Sequence, residues 1–161
     1  MVSGYSKTQI RLHWAIFIMI ILQYVLHEPI AAAWDMRLQG QEPESNPLIL
    51  QHVIGGSLIF ILVVWRILLR ARRGAPALPA EEPMILKGIA HLTHFVLYAL
   101  MLLLPISGSM AFFGGLEAAG SAHEVMRAVM ILFVLLHIIG ALFQQFVLKT
   151  NIMDRMRTPA D

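Results

Sequence analysis

Four apolar blocks, each about as long as a helix that crosses a bilayer, leave this chain few ways to fold. They run roughly over Thr8–Leu26, Leu48–Leu69, Ile89–Phe113 and Val125–Leu148, each near the ~20 residues needed to traverse the hydrocarbon. The blocks have no polar outer face, so a water-soluble four-helix bundle is excluded. Of the 161 residues, 58% are hydrophobic and only 14% charged, a membrane composition. The expected architecture is all-α: an integral membrane four-helix bundle forming one domain over residues 1–161. Its helices are expected at about 8–30, 48–70, 88–113 and 122–148, with a polar tail at 149–161.

The cations give the bundle a direction. Lys7 and Arg11 precede the first block. Arg66, Arg70, Arg72, Arg73 and Lys87 surround the second connection, and Lys149, Arg155 and Arg157 follow the fourth block. Only Arg37 and Arg127 fall on the other side. Short loops rich in Lys and Arg stay cytoplasmic, so both termini are expected inside. Glu28, Asp35, Glu42, Glu44, Glu117 and Glu124 lie outside, an asymmetry hidden by the net charge of +2. Lys7 and Arg11, an apolar core and then Ala31-Ala32-Ala33 also form the pattern of a cleavable signal. Retention is the expectation, because cleavage would discard His13.

The connections leave no room for a soluble domain. ARRGAPALPAEEP at 71–83 is a turn-rich cytoplasmic loop, the outer connection at 31–47 holds Pro43 and Pro47, and that around Gly114–Gly120 is short. Pro105 interrupts the third block and should bend its helix. There is no cysteine, which rules out a disulfide, a thiolate-held iron–sulfur cluster and covalent haem attachment through C-x-x-C-H.

Seven histidines remain as candidate ligands: His13, His27, His52, His91, His94, His123 and His137. Ionisable side chains in membrane helices usually face a partner or a functional centre. The alternating directions of the helices place His52 and His123 near the outer end, and His13 and His137 near the inner end. His123 and His137 are separated by fourteen residues, about 21 Å along the axis and within ~40° around it. Two imidazoles facing each other across a bundle can fill both axial positions of a metalloporphyrin, an arrangement suited to electron transfer. A zinc site would want three or four ligands at one depth. Two ligands at each of two depths fit two b-type haems better, His13 with His137 and His52 with His123.

Other residues have two readings each. Gly55, Gly56 and Gly140 either admit a porphyrin close to the backbone or pack helices. Arg66 and Arg70, one turn apart, either bind haem propionates or anchor the helix in headgroups, and Arg127 is similarly placed for the outer haem. His91 and His94 suit propionates, a quinone pocket or interfacial hydrogen bonding. His27 is expected to be interfacial only.

Taken in order, YSKTQIRLHW at 5–14, LQHVIGGS at 50–57, WRILLR at 65–70, AHLTHFVLYALMLLLPISG at 90–108, HEVMRAVMILFVLLH at 123–137 and KTNIMDRM at 149–156 resemble the bacterial cytochrome b561 family, small di-haem proteins of the inner membrane. The resemblance covers nearly the whole chain. It implies that His13, His52, His123 and His137 are the axial ligands, the same four selected by depth. It also implies exchange of electrons with ubiquinone, and in some members oxidation of superoxide at the periplasmic face. Where relatives often carry a His-His pair after the last ligand, this chain has Gln144-Gln145, making Gln144 the expected quinone contact. Six acids against two cations outside do not make the positive funnel that an anionic radical would favour, so a superoxide site would depend on the patch at Arg127.

The leading expectation is therefore an oxidoreductase linking the periplasmic side to ubiquinone, in contact with membrane lipid, with no nucleic acid and an unassigned protein partner. The alternatives are a haem-carrying anchor subunit for a periplasmic dehydrogenase and a haem-free membrane protein using histidines as proton relays.

Overall fold

The computed structural model describes residues 4–77 and 82–160. Those residues form five α-helices and no strand: α1 Lys7–Val25, α2 Glu28–Leu38, α3 Pro47–Arg73, α4 Met84–Phe112 and α5 Glu117–Phe146. A short 3-10 turn, Asp154–Met156, follows. All but α2 are long and apolar enough to cross a membrane. Ile61, Phe95, Val125 and Ile139 are each more than half exposed, outward-facing apolar surface suited to lipid contact.

Local chemistry sets the helix ends. Ser6 and Gln9 form a capping box at α1, the Gln9 N–H donating to Ser6 Oγ and the Ser6 N–H to Gln9 Oε1. Asn46 caps α3, Pro47 occupies its first turn, and Gly74 at φ 80° ends it beyond three arginines in the last turn.

The first helix does not continue to residue 30 as expected. It stops at Val25, and a separate helix begins at Glu28 and runs on to Leu38, into the segment 31–47 read as an outer loop. Pro29 explains the break, since it fits the first turn of a helix and disfavours helical continuation through the residue before it. α4 and α5 each begin a turn earlier than expected, and α3 runs through Arg73, so the inner loop is shorter than 71–83. Pro79 and Glu81 of that loop lie outside the described residues.

The helices pack α1 on α3, α3 on α4, α4 on α5 and α2 on α3. Neither α1 with α5 nor α3 with α5 forms a comparably packed pair. Mid-bundle, Ile16 of α1 and Ile59 and Val63 of α3 are buried together, with Tyr98, Met101 and Leu102 of α4 against them. This plug separates two ends of different character. The basic end gathers the start of α1, the end of α3, the start of α4 and the end of α5. There Gln9 Nε2 donates to Gly74 O at 3.2 Å, Trp14 Nε1 to Met156 O at 2.9 Å, and the Ala160 N–H to Tyr5 O at 3.0 Å. The tail is thus folded back onto α1.

Candidate functional site

At the basic end three imidazoles meet. The rings of His13 on α1 and His137 on α5 are 6.2 Å apart, and that of His94 on α4 is 5.0 Å from His137. His13 and His137, on helices that face each other across the bundle, would hold a haem here, and bound haem would supply one-electron chemistry. His94 Nδ1 is 2.6 Å from Ala90 O. A carbonyl only accepts, so this nitrogen carries the ring proton.

Arg66 ties the basic end together: its Nη1 donates to Gln9 O on α1 and its Nε to Tyr98 Oη on α4 at 3.1 Å. Its guanidinium charge therefore sits between α1 and α4 at this end. Arg70 is half-buried one turn on, and both arginines act electrostatically on His94. His91 is exposed, which leaves it in the interfacial role. Gln144 is buried and hydrogen-bonded to Glu82 and Thr150.

At the acidic end an apolar cleft opens between the helices, with about 1190 Å³ that no protein atom fills, counting its open side. His27, His52, His123 and Arg127 line it, together with Gly56 and Gly108. His123 Nδ1 lies 2.9 Å from Leu104 O and 3.1 Å from Ser107 Oγ. The carbonyl fixes the proton on Nδ1 and leaves the Nε2 lone pair free, as a metal-binding histidine requires. His52 Nδ1 is buried and has no hydrogen-bond partner among the described residues. A Cβ on Gly108 would come within 3.1 Å of the His123 ring, and one on Gly120 within 2.6 Å of the Trp34 indole. Glycine at these positions lets α4 and α2 approach α5.

The four expected ligands thus fall into two clusters, one at each end, and neither cross-bundle pair lies on tightly packed helices. The donor set suits a haem: at the acidic end an orphaned His52 nitrogen and a free His123 Nε2 face an apolar cleft with room around them, and at the basic end His13, His94 and His137 lie together. Among the described residues no three or more His, Cys, Asp or Glu converge as a protein-only metal site would need. The glycines divide. Gly56 lines the cleft and a Cβ on Gly140 would meet nothing within 4 Å, whereas Gly55 is pressed against Gln23 and serves helix packing.

Sequence reasoning missed Ser107, Gly108, Tyr98 and Glu82, and it set His27 aside. The His27 ring lies 5.8 Å from that of His52 and lines the same cleft. Burial holds His27 below its ordinary pKa, helped by Arg127 and His123 and opposed by Glu28 and Glu124. The dipeptide His27-Glu28 directly before Pro29 was the available signal, since it marks a helix end turned toward the bundle. Arg37 is not a free outer cation: it donates to Phe112 O and stacks 4.0 Å over the Phe112 ring.

Comparison with known proteins places this geometry. The chain is 34% identical over 159 residues to cytochrome b562 of Cereibacter sphaeroides, covering 97% of this chain and 96% of that protein. It is 32% identical over 177 aligned positions to the probable superoxide oxidase CybB of Yersinia pestis, covering 94% of each. It is 25% identical to cytochrome b561 homolog 1 of Escherichia coli, covering 96% of this chain and 97% of that one. A sequence profile described as prokaryotic cytochrome b561 matches residues 4–159. With all-helical architecture, four spanning helices and a match over nearly its whole length, the chain belongs to the prokaryotic cytochrome b561 family, whose members are membrane cytochromes of the b-haem type.

Proposed function

We propose that this protein is a di-haem cytochrome b of the bacterial inner membrane, with both termini cytoplasmic, that carries electrons between the periplasmic side and ubiquinone. One observation carries the reading: imidazoles cluster at both ends of a single helix, α5, and the facing pairs lie on helices that do not pack tightly. His13 with His137, and His52 with His123, are the axial pairs. Bound haem supplies reversible one-electron chemistry, and the residues supply ligation, orientation and a low-dielectric wall. Leu104 O and Ser107 hold the His123 ring in one tautomer. The guanidinium of Arg66, between α1 and α4, would neutralise a propionate, and Arg70 adds charge one turn on.

The superoxide form of this function rests on Arg127, the outer cation that lines the cleft. Two superoxide anions would give up two electrons and leave as oxygen, while one ubiquinone takes those electrons and two protons to become ubiquinol. The test is purified holoprotein in detergent. Two b haems per chain and ubiquinol formation with superoxide as donor are expected. One haem per chain would overturn the two-layer assignment. Two haems without reduction by superoxide would leave the general carrier, and co-purification of a periplasmic dehydrogenase would make it an anchor subunit.

A further inference from the structure

Glu82 is the one acidic or basic side chain that is buried among the described residues, at 5% exposure. It sits at the basic end, just before α4, in a chain that otherwise keeps its charges at the surface or half-exposed. Its Oε1 accepts from Gln144 Nε2, while its Oε2 is buried with no hydrogen-bond partner among the described residues. Burying a carboxyl with one oxygen unmatched is unfavourable, and in membrane proteins such groups mark proton paths. The neighbouring Gln145 also has a buried Oε1 without a partner. Two orphaned acceptor oxygens in one region call for donors, and a proton carried on Glu82 Oε2 would turn that oxygen into a donor that a quinone carbonyl can accept.

The position of Gln144 relates this carboxyl to the histidines. It is seven residues beyond His137 on α5, almost two turns, so it projects within ~20° of His137 and about 10 Å nearer the basic end. Thr150 Oγ1 donates to Gln144 Oε1 at 2.8 Å and holds the amide so that its N–H₂ faces Glu82. The carboxyl is thereby fixed next to Gln144, just before the start of α4 at the basic end.

We propose that Glu82 is the proton relay for quinone reduction, an inference that rests on the quinone-linked function above. A benzoquinone-type acceptor takes two electrons from the reduced protein and one proton on each carbonyl oxygen, leaving as the quinol. Glu82 gives its carboxyl proton to one of those oxygens and regains one from the aqueous phase, and the second oxygen takes its proton from the aqueous phase. Electron transfer to an acceptor that takes no proton does not need it.

The experiment uses the full-length holoprotein, chemically reduced, and follows haem oxidation after mixing with either decylubiquinone or ferricyanide. Glu82→Gln keeps the hydrogen bond to Gln144 but carries no exchangeable acid. It should retain both haem bands and the ferricyanide rate, while oxidation by decylubiquinone falls about tenfold or more. Glu82→Asp should recover most of that loss, and the wild-type quinone rate should fall in D₂O. If Glu82→Gln keeps the quinone rate within twofold, or loses both rates equally, the relay is wrong. If Glu82→Gln does not assemble, the Glu82→Asp protein and the solvent isotope effect decide, and a quinone rate unchanged in D₂O overturns the proposal. If wild type is oxidised by ferricyanide but not by decylubiquinone, the quinone-linked function itself fails, and the relay with it.

Discussion

The two ends of the bundle hold imidazoles in opposite surroundings. The acidic end is a cleft walled by apolar side chains, in which His123 is held by the backbone carbonyl of Leu104 next to Pro105. The basic end is crossed by polar links: Arg66 to Gln9 and Tyr98, Glu82 to Gln144, and Trp14 to Met156. The difference separates tasks. An apolar wall with a fixed imidazole tunes and shelters a redox centre. A polar end can neutralise anionic groups and handle protons where electrons meet a proton-consuming acceptor.

The strongest way to break this comparison is to remove one ligand at each end. His137→Ala and His123→Ala should each lose one of two haems, and the haem left behind should differ between them in potential, as pyridine haemochrome and redox titration would read. Two unchanged haems in both variants would dissolve the two-ended picture. Next is Gly108→Leu, which drives a side chain into the space of the His123 ring. It should strip most haem from the acidic end and leave the basic end spectrally intact; equal loss at both ends would show that they are one cooperative unit.

Smaller effects sharpen the basic end. Arg66→Gln removes charged donors shared between α1 and α4 and should lower stability by about 1.5–3 kcal/mol, with a shifted potential for the inner haem alone. Thermal denaturation with parallel redox titration measures both. Trp14→Phe deletes the indole bond to Met156 O on the exposed edge. It should cost about 0.5–1.5 kcal/mol and speed protease cleavage of the tail without touching either haem.

Much of this was legible in the residues because lipid imposes simple rules. A block such as Leu48–Leu69 has to be a helix long and apolar enough to span, and it forms one, α3. The interval between His123 and His137 then sets two depths without any knowledge of neighbours. What stayed hidden depended on side chains meeting across the bundle. Glu82 looked like one more acid in a polar loop, since nothing local shows that Gln144, 62 positions away, buries it. Gly108 looked like a generic small residue until the His123 ring was found against it. The Ala31-Ala32-Ala33 run read as loop or cleavage site because its helical state is confirmed only by packing of α2 on α3. Arg37 was counted as a free outer cation, and its engagement with Phe112 is a contact between segments far apart in sequence.

The return of the tail to α1 also bears on timing during synthesis. Tyr5 and Ala160 are joined by a backbone hydrogen bond, and Trp14 is satisfied by Met156. On the ribosome α1 is made well before the residues that cover it, at positions 156–160. The acidic end, by contrast, needs nothing beyond α5. One end of this bundle can therefore mature once α5 is made, whereas the other stays unsealed until residues 156–160 have been added.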